Sequence, residues 1–74
     1  MIKVFEPESS HIKKITYDSD TESMIVSYKG GEVYEFYNIP AKLFETLLTA
    51  PSTGRFMNDY IYGASSYTRL TKEV

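Results

Sequence analysis

The chain has 74 residues, eleven of them aromatic, seven of those tyrosine, and no cysteine or tryptophan. Eight basic and ten acidic side chains leave a net charge of −2, which excludes a general polyanion binder. The missing cysteines exclude a disulfide framework and a thiolate metal site, so one small core has to suffice.

Charge is unevenly spread. Residues 1–38 carry four lysines and seven acids, residues 39–74 four basic residues and three acids, so an anion fits the second half better. The opening MIKVFEPESS has two acids and no sustained apolar run, so no signal peptide is expected, and no membrane span either. A cytoplasmic, reducing setting is expected.

Residues 1–9 contain a small alternation, Ile2 and Val4, and then Pro7; they are expected to form an arm or short edge segment, with the domain over residues 10–74. HIKKITYD, residues 11–18, makes a first strand with Ile15 and Tyr17 inward and Lys14 and Thr16 outward. Residues 18–23, DSDTES, are turn chemistry, short oxygen-bearing side chains that bond nearby backbone N–H groups. A four-residue loop there pairs Tyr17 with Met24 and Ile15 with Val26.

The second strand, from Met24 to Lys29, turns Met24, Val26 and Tyr28 inward. The glycines that follow decide the third. A two-residue Gly30-Gly31 turn would pair Tyr28 with Val33 and put Glu35 on the core face, a buried charge without a partner. A three-residue loop, Lys29 to Gly31, pairs Val26 with Tyr34 and Met24 with Phe36 instead. One residue of slip turns every later side chain over, so the longer loop is expected, closed by a G1 bulge with Gly31 in the left-handed region.

Ile39-Pro40 ends the third strand and opens a helix, whose stripe of Leu43, Phe44, Leu47 and Leu48 covers the sheet. Ala50-Pro51 stops it. Ser52 is a good N-cap for a second helix with Phe56, Met57 and Tyr60 on one side, ending near Gly63. Gly54 in its first turn lowers helix stability but admits a neighbouring backbone. For Tyr67 to Leu70, a short returning strand against a sheet edge is available. The expected architecture is α+β: a three-stranded antiparallel meander with two short α-helices on one face.

These pieces resemble a known family. From Ser10 to Leu70 the chain is similar to the KTSC domain, a short module at the carboxyl end of some bacterial lysyl-tRNA synthetases, also free-standing in bacteria and phages. The resemblance rests on SSHIKKITYD, the alternating second strand, the glycine turn, VYEFYNIP, and GRFMNDYI followed by Tyr67 and Arg69. It places the family's Y-x-Y on Tyr34 and Phe36, so a second phenolic hydroxyl is not essential here. A later glycine, aromatic, asparagine and isoleucine fall on Gly54, Phe56, Asn58 and Ile61, and Tyr62 stands where a basic residue is expected. The resemblance implies an RNA-binding role, through attachment to a synthetase.

Beside that, the residues offer several chemical readings. His11 next to Ser9 and Ser10, with Asp18, has the residue types of a hydrolytic triad but no strained nucleophile turn and no oxyanion donors. A strand-start histidine in water, on a chain that is not an enzyme, is the expectation. Asp18, Asp20 and Glu22 lack the glycine and distant glutamate of an EF-hand and read as a solvated turn; no metal and no cofactor is expected. Lys29 to Gly31 joins two strands and lacks a following helix to hold a phosphate, so a hairpin turn is expected.

Ser52, Thr53, Gly54 and Arg55 are different. Amides at a helix start, a glycine for access and an arginine that grips oxyanions bidentately make an anion site, set against a plain capped helix packed on its neighbour. Asn58 and Tyr62 join this candidate, with Lys42 and Arg69 as auxiliary charges and Tyr37 or Tyr62 for stacking. Tyr34 and Phe36 have the chemistry to stack bases, but the register places them with Phe56 in the core. The outward face then presents Lys14, Ile25, Lys29, Val33 and Tyr37, a surface for a nucleotide, a partner protein or a second copy. The function expected is a binding module for RNA or other single-stranded nucleic acid. A protein-interaction or self-associating (homodimer) module comes second and a pocket for a small anionic metabolite third, with no membrane partner.

Overall fold

A computed structural model describes residues 1–70; the last four residues of the expected domain lie outside the described residues. Among those described, five strands form one antiparallel sheet in the order β1-β2-β3-β4-β5: β1 Ile2–Phe5, β2 Ile12–Asp18, β3 Ser23–Tyr28, β4 Val33–Phe36 and β5 Tyr67–Arg69. Between β4 and β5 come helix α1, Ala41–Leu48, and helix α2, Thr53–Phe56, which runs on as a π-helical turn, Met57–Ile61. The domain is α+β as expected, but its sheet has five strands and not three.

Both extra strands are edges, and the second is the returning strand that Tyr67 to Leu70 makes available. The amino-terminal arm pairs with β2, Ile2 opposite Asp18 and Phe5 opposite Ile15. This is the edge segment expected of residues 1–9: Ile2 and Val4 face outward and are largely exposed, while Phe5 packs on the core. At the other end, Tyr67 lies opposite Phe36 and Arg69 opposite Tyr34.

The central register is the expected one. Tyr17 pairs with Met24 and Ile15 with Val26; Met24 pairs with Phe36 and Val26 with Tyr34. In the turn, the Gly31 N–H donates to the Tyr28 carbonyl at 3.0 Å and the Tyr28 N–H to the Glu32 carbonyl at 2.8 Å. Gly31 sits at φ +105°, where a residue with Cβ is strained. In the preceding loop, Asp18 Oδ1 accepts from the Asp20 N–H at 2.9 Å, the local bonding that its composition predicts. A bulge between Ile12 and Lys14 brings Ile12 onto the same face as Ile15 and Tyr17.

That face carries the core. Ile12, Ile15, Tyr17, Met24, Val26, Phe36 and Ile39 are buried against Phe44 and Leu47 of α1 and Phe56, Met57 and Ile61 of the second helical segment. The Tyr17 ring stacks on Phe44, centroids 4.5 Å apart, and its hydroxyl donates to the buried Ile39 carbonyl at 2.6 Å. Two helical expectations need correction. Tyr60 is 56% exposed and Leu48 37%. The π turn takes five residues and puts Ile61 with Met57 in the core, while Tyr60 keeps its ring on Phe56, centroids 4.8 Å apart, but at the exposed rim. Tyr34 faces inward but is only half-buried, whereas its partner in the motif, Phe36, is fully packed. Among the described residues, no helix is long and apolar enough to cross a membrane.

Candidate functional site

Two clefts adjoin where the β3-β4 hairpin turn meets the second helical segment. The first, about 770 Å³, has three walls: residues 8–12 leading into β2, the hairpin turn with Tyr28, Lys29, Gly30 and Glu32, and residues 52–55 with Asn58 and Tyr62. The second, about 390 Å³, is a trough lined by Tyr28, Tyr34, Phe36, Tyr62 and Tyr67, with Glu32. Tyr28, Glu32 and Tyr62 belong to both.

The first wall is set by one side chain. Ser9 Oγ accepts from the backbone N–H of His11 and of Ile12, both at 3.1 Å, which satisfies two amides just where the strand begins. His11 is exposed. Asp18, its partner in the triad reading, is the last residue of β2, roughly 20 Å away at the usual rise per strand residue; those three groups do not meet. The helix wall is capped as expected, Ser52 Oγ accepting from the Arg55 N–H at 3.3 Å. Arg55 reaches out into solvent, its Nε 3.7 Å from the Asp59 carboxylate one turn on. An exposed pair of this spacing contributes little and is readily exchanged for a ligand.

The trough is built by strand alternation. Residues 32, 34 and 36 share a face, and cross-strand pairing sets Tyr67 beside Phe36. Ring centroids lie 5.5 Å apart for Tyr34 and Tyr67, 5.7 Å for Phe36 and Tyr67, and 5.8 Å for Phe36 and Tyr62. Tyr28 stands edge-on to Tyr34 at 5.9 Å. Its hydroxyl is 2.6 Å from that of Tyr62. Burial first, and then this bond, push the Tyr28 phenol well above its ordinary ionisation.

Of the residues proposed for the anion site, Ser52, Gly54, Arg55, Asn58 and Tyr62 come together in the first cleft. Lys42, exposed on α1, does not line it, and neither does Arg69. Arg69 instead lies across from Tyr34 at the sheet edge beside the trough. Lys29 and Gly30 join the cleft although their turn is a hairpin turn: the helix start it lacks in sequence stands beside it in space. On the opposite sheet face, Lys14 is exposed and Ile25 and Val33 are half-buried. Tyr37 is tied to the β5 segment, its hydroxyl donating to Thr68 Oγ1 at 2.8 Å and its N–H to the Ser66 carbonyl at 2.9 Å. Sequence reasoning missed Glu8, Glu32, Tyr28 and Tyr67 as site residues and gave Ser9, Ser10 and His11 only a hydrolytic reading. The signal for Tyr28 and Tyr67 was their shared parity with Tyr34 and Phe36 once β5 is paired.

The family model of the KTSC domain matches residues 8–67. The lysine–tRNA ligase of Trichormus variabilis is 34% identical over 68 residues, which are 92% of this chain and 12% of that protein. That of Nostoc punctiforme is 32% identical over the same shares, so the chain spans about an eighth of the length of these ligases. A protein of Tsukamurella paurometabola is 39% identical over 54 residues, 73% of this chain and 81% of its own. Among solved structures, a KTSC domain protein from Yersinia pestis has the same fold, with a TM-score of 0.86 over 95% of this chain and 99% of that one at 23% identity.

Proposed function

The chain belongs to the KTSC domain family, and from that premise we propose that it is a small, non-catalytic module holding a short stretch of single-stranded RNA across its two adjoining clefts. The observation that carries this reading is the wall of Tyr28, Glu32 and Tyr62 shared by an aromatic trough and a polar cleft. A nucleotide has the same two halves, a flat base and a charged phosphate. Tyr67, 56% exposed, and Tyr62 offer faces for a base. Arg55 and Lys29 in the first cleft and Arg69 at the trough's edge offer charge for phosphates on either side. That relatives named as lysine–tRNA ligases carry this domain supports an RNA partner, and a cytoplasmic setting suits one.

Charge sets the scale of the expected binding. Glu8 and Glu32 offset Lys29 and Arg55 around the first cleft, which keeps the affinity low; contacts from Lys29 and Arg55 to roughly two phosphates would give a logarithmic salt slope of about −1.4. Titration of a labelled single-stranded oligoribonucleotide should therefore show weak binding that falls about 25-fold over a tenfold rise in salt. Arg55→Ala should flatten that slope by about half. Tyr67→Ala should weaken binding by about 1–3 kcal/mol and leave the slope alone. Absence of binding at low salt overturns the reading.

A second reading has its own observation. β1 ends the sheet, and its outward Ile2 and Val4 are 59% and 60% exposed, an apolar edge of the kind through which strands pair between copies. Light scattering should then give a dimer mass for the native chain and a monomer mass for Val4→Lys; a monomer in both discards it.

A further inference from the structure

Among the described residues, Glu32 is the one carboxylate lining the aromatic trough, and it forms no ion pair there. For a surface that takes a polyanion, a negative charge beside the stacking rings is a cost. Its backbone is nevertheless fixed, and the turn leaves room for its side chain. The Glu32 carbonyl accepts from the Tyr28 N–H at 2.8 Å, which ties the backbone to the hairpin turn. The side chain folds back over that turn: a Cβ at Gly30 would lie 2.9 Å from Glu32 Oε1. Only a residue without a side chain leaves the carboxylate where it stands.

Resting on the RNA reading above, we infer that the trough selects guanine, with Glu32 reading the base edge while the tyrosine rings hold its face. A carboxylate offers two parallel acceptors and no donor. Guanine presents two adjacent donors, N1–H and N2–H, on its Watson–Crick edge and matches that pair bidentately, the geometry that makes charge-assisted bonds strong. Adenine and cytosine each place one amino group beside a ring nitrogen that is itself an acceptor and repels the second oxygen. Uracil has one N–H between two carbonyls. Glu32 thus turns its cost against phosphates and three of the bases into a preference for the fourth.

The test uses uridine-rich hexamers that differ at one position, guanine, adenine, cytosine or uracil, titrated at low salt against the native chain, Glu32→Gln and Gly30→Ala. The native chain should bind the guanine hexamer about tenfold more tightly than the others, within the range of one bidentate base contact. Glu32→Gln should weaken the guanine hexamer about tenfold and slightly strengthen the other three, since a repulsive charge has gone. If Glu32 acts only by repulsion, all four strengthen together, and the inference falls. Gly30→Ala keeps the charge but displaces the carboxylate, and should lose the preference with little change in melting temperature; a preference that survives there also overturns it. Equal binding of the four hexamers by the native chain removes guanine selection and leaves the RNA reading standing, whereas failure of all four to bind removes both.

Discussion

Phe44→Ala is expected to cost about 3–5 kcal/mol of folding stability, the usual range for deleting a fully packed aromatic ring. A domain of 74 residues holds about 4–11 kcal/mol in all, so this one change takes about a quarter or more of it. The reason lies in how α1 is made. Eight residues are too few to hold a helix alone in water, and its N-cap, Pro40, supplies no side-chain bond. Leu47 and Phe44 are its buried residues, and Phe44 carries the stack on Tyr17. Without that ring, Tyr17 loses the surface that orients its hydroxyl toward the Ile39 carbonyl. Denaturant unfolding should show the midpoint falling with the slope unchanged. A loss below about 1 kcal/mol would mean that α1 is anchored elsewhere.

Alkaline pH should unfold the protein through two tyrosines. Burial raises the Tyr17 phenol's ionisation, helped by the negative charges of Glu22, Asp18 and Glu45. Burial and the bond to Tyr62 raise that of Tyr28. In the unfolded chain both ionise near pH 10. Above about pH 10 the folded chain therefore holds protons that the unfolded chain has released, so stability is intact below that point and falls as pH climbs past it. Each raised phenol adds to this decline, by up to about 1.4 kcal/mol per pH unit over the range where it is ionised in the unfolded chain and still protonated in the folded one. Thermal melts across that window, with tyrosinate absorbance followed in parallel, should show unfolding and ionisation occurring together. Tyr28→Phe should make the decline shallower, leaving the part that Tyr17 contributes. Stability that stays level from about pH 9 to about pH 11.5 would contradict the assignment.

Much of the sheet was legible because one turn constrains it. Glu35 has to be kept out of the core, Gly31 accepts a positive φ, and these two demands admit a single register for Met24, Val26, Tyr34 and Phe36. The edges were harder for a physical reason. In β1 the outward residues are the apolar ones, and in β5 all three residues are exposed, so alternation carries no sign of which face is dry. The π turn was hidden as well, since nothing in MNDYI distinguishes a five-residue turn from four until Ile61 is seen buried and Tyr60 exposed. The candidate site was half readable. Ser52, Gly54, Arg55 and Asn58 announce themselves as a helix start, but Glu32 and Tyr67 become neighbours only when chain segments far apart in sequence are folded together.

The order of the strands has a consequence for how the trough opens. β1, β2, β3 and β4 are linked by short loops, whereas β4 and β5 are separated by residues 37–66. Closing that long detour carries the largest loop-entropy cost of the four seams, and all three residues of β5 are exposed. Peeling β5 back would carry Tyr67 away from Phe36 and Tyr34 while the inner ribbons stay paired. One side of the trough thus hangs on a three-residue strand, and its release would open the lining at the rim while the interior stays packed.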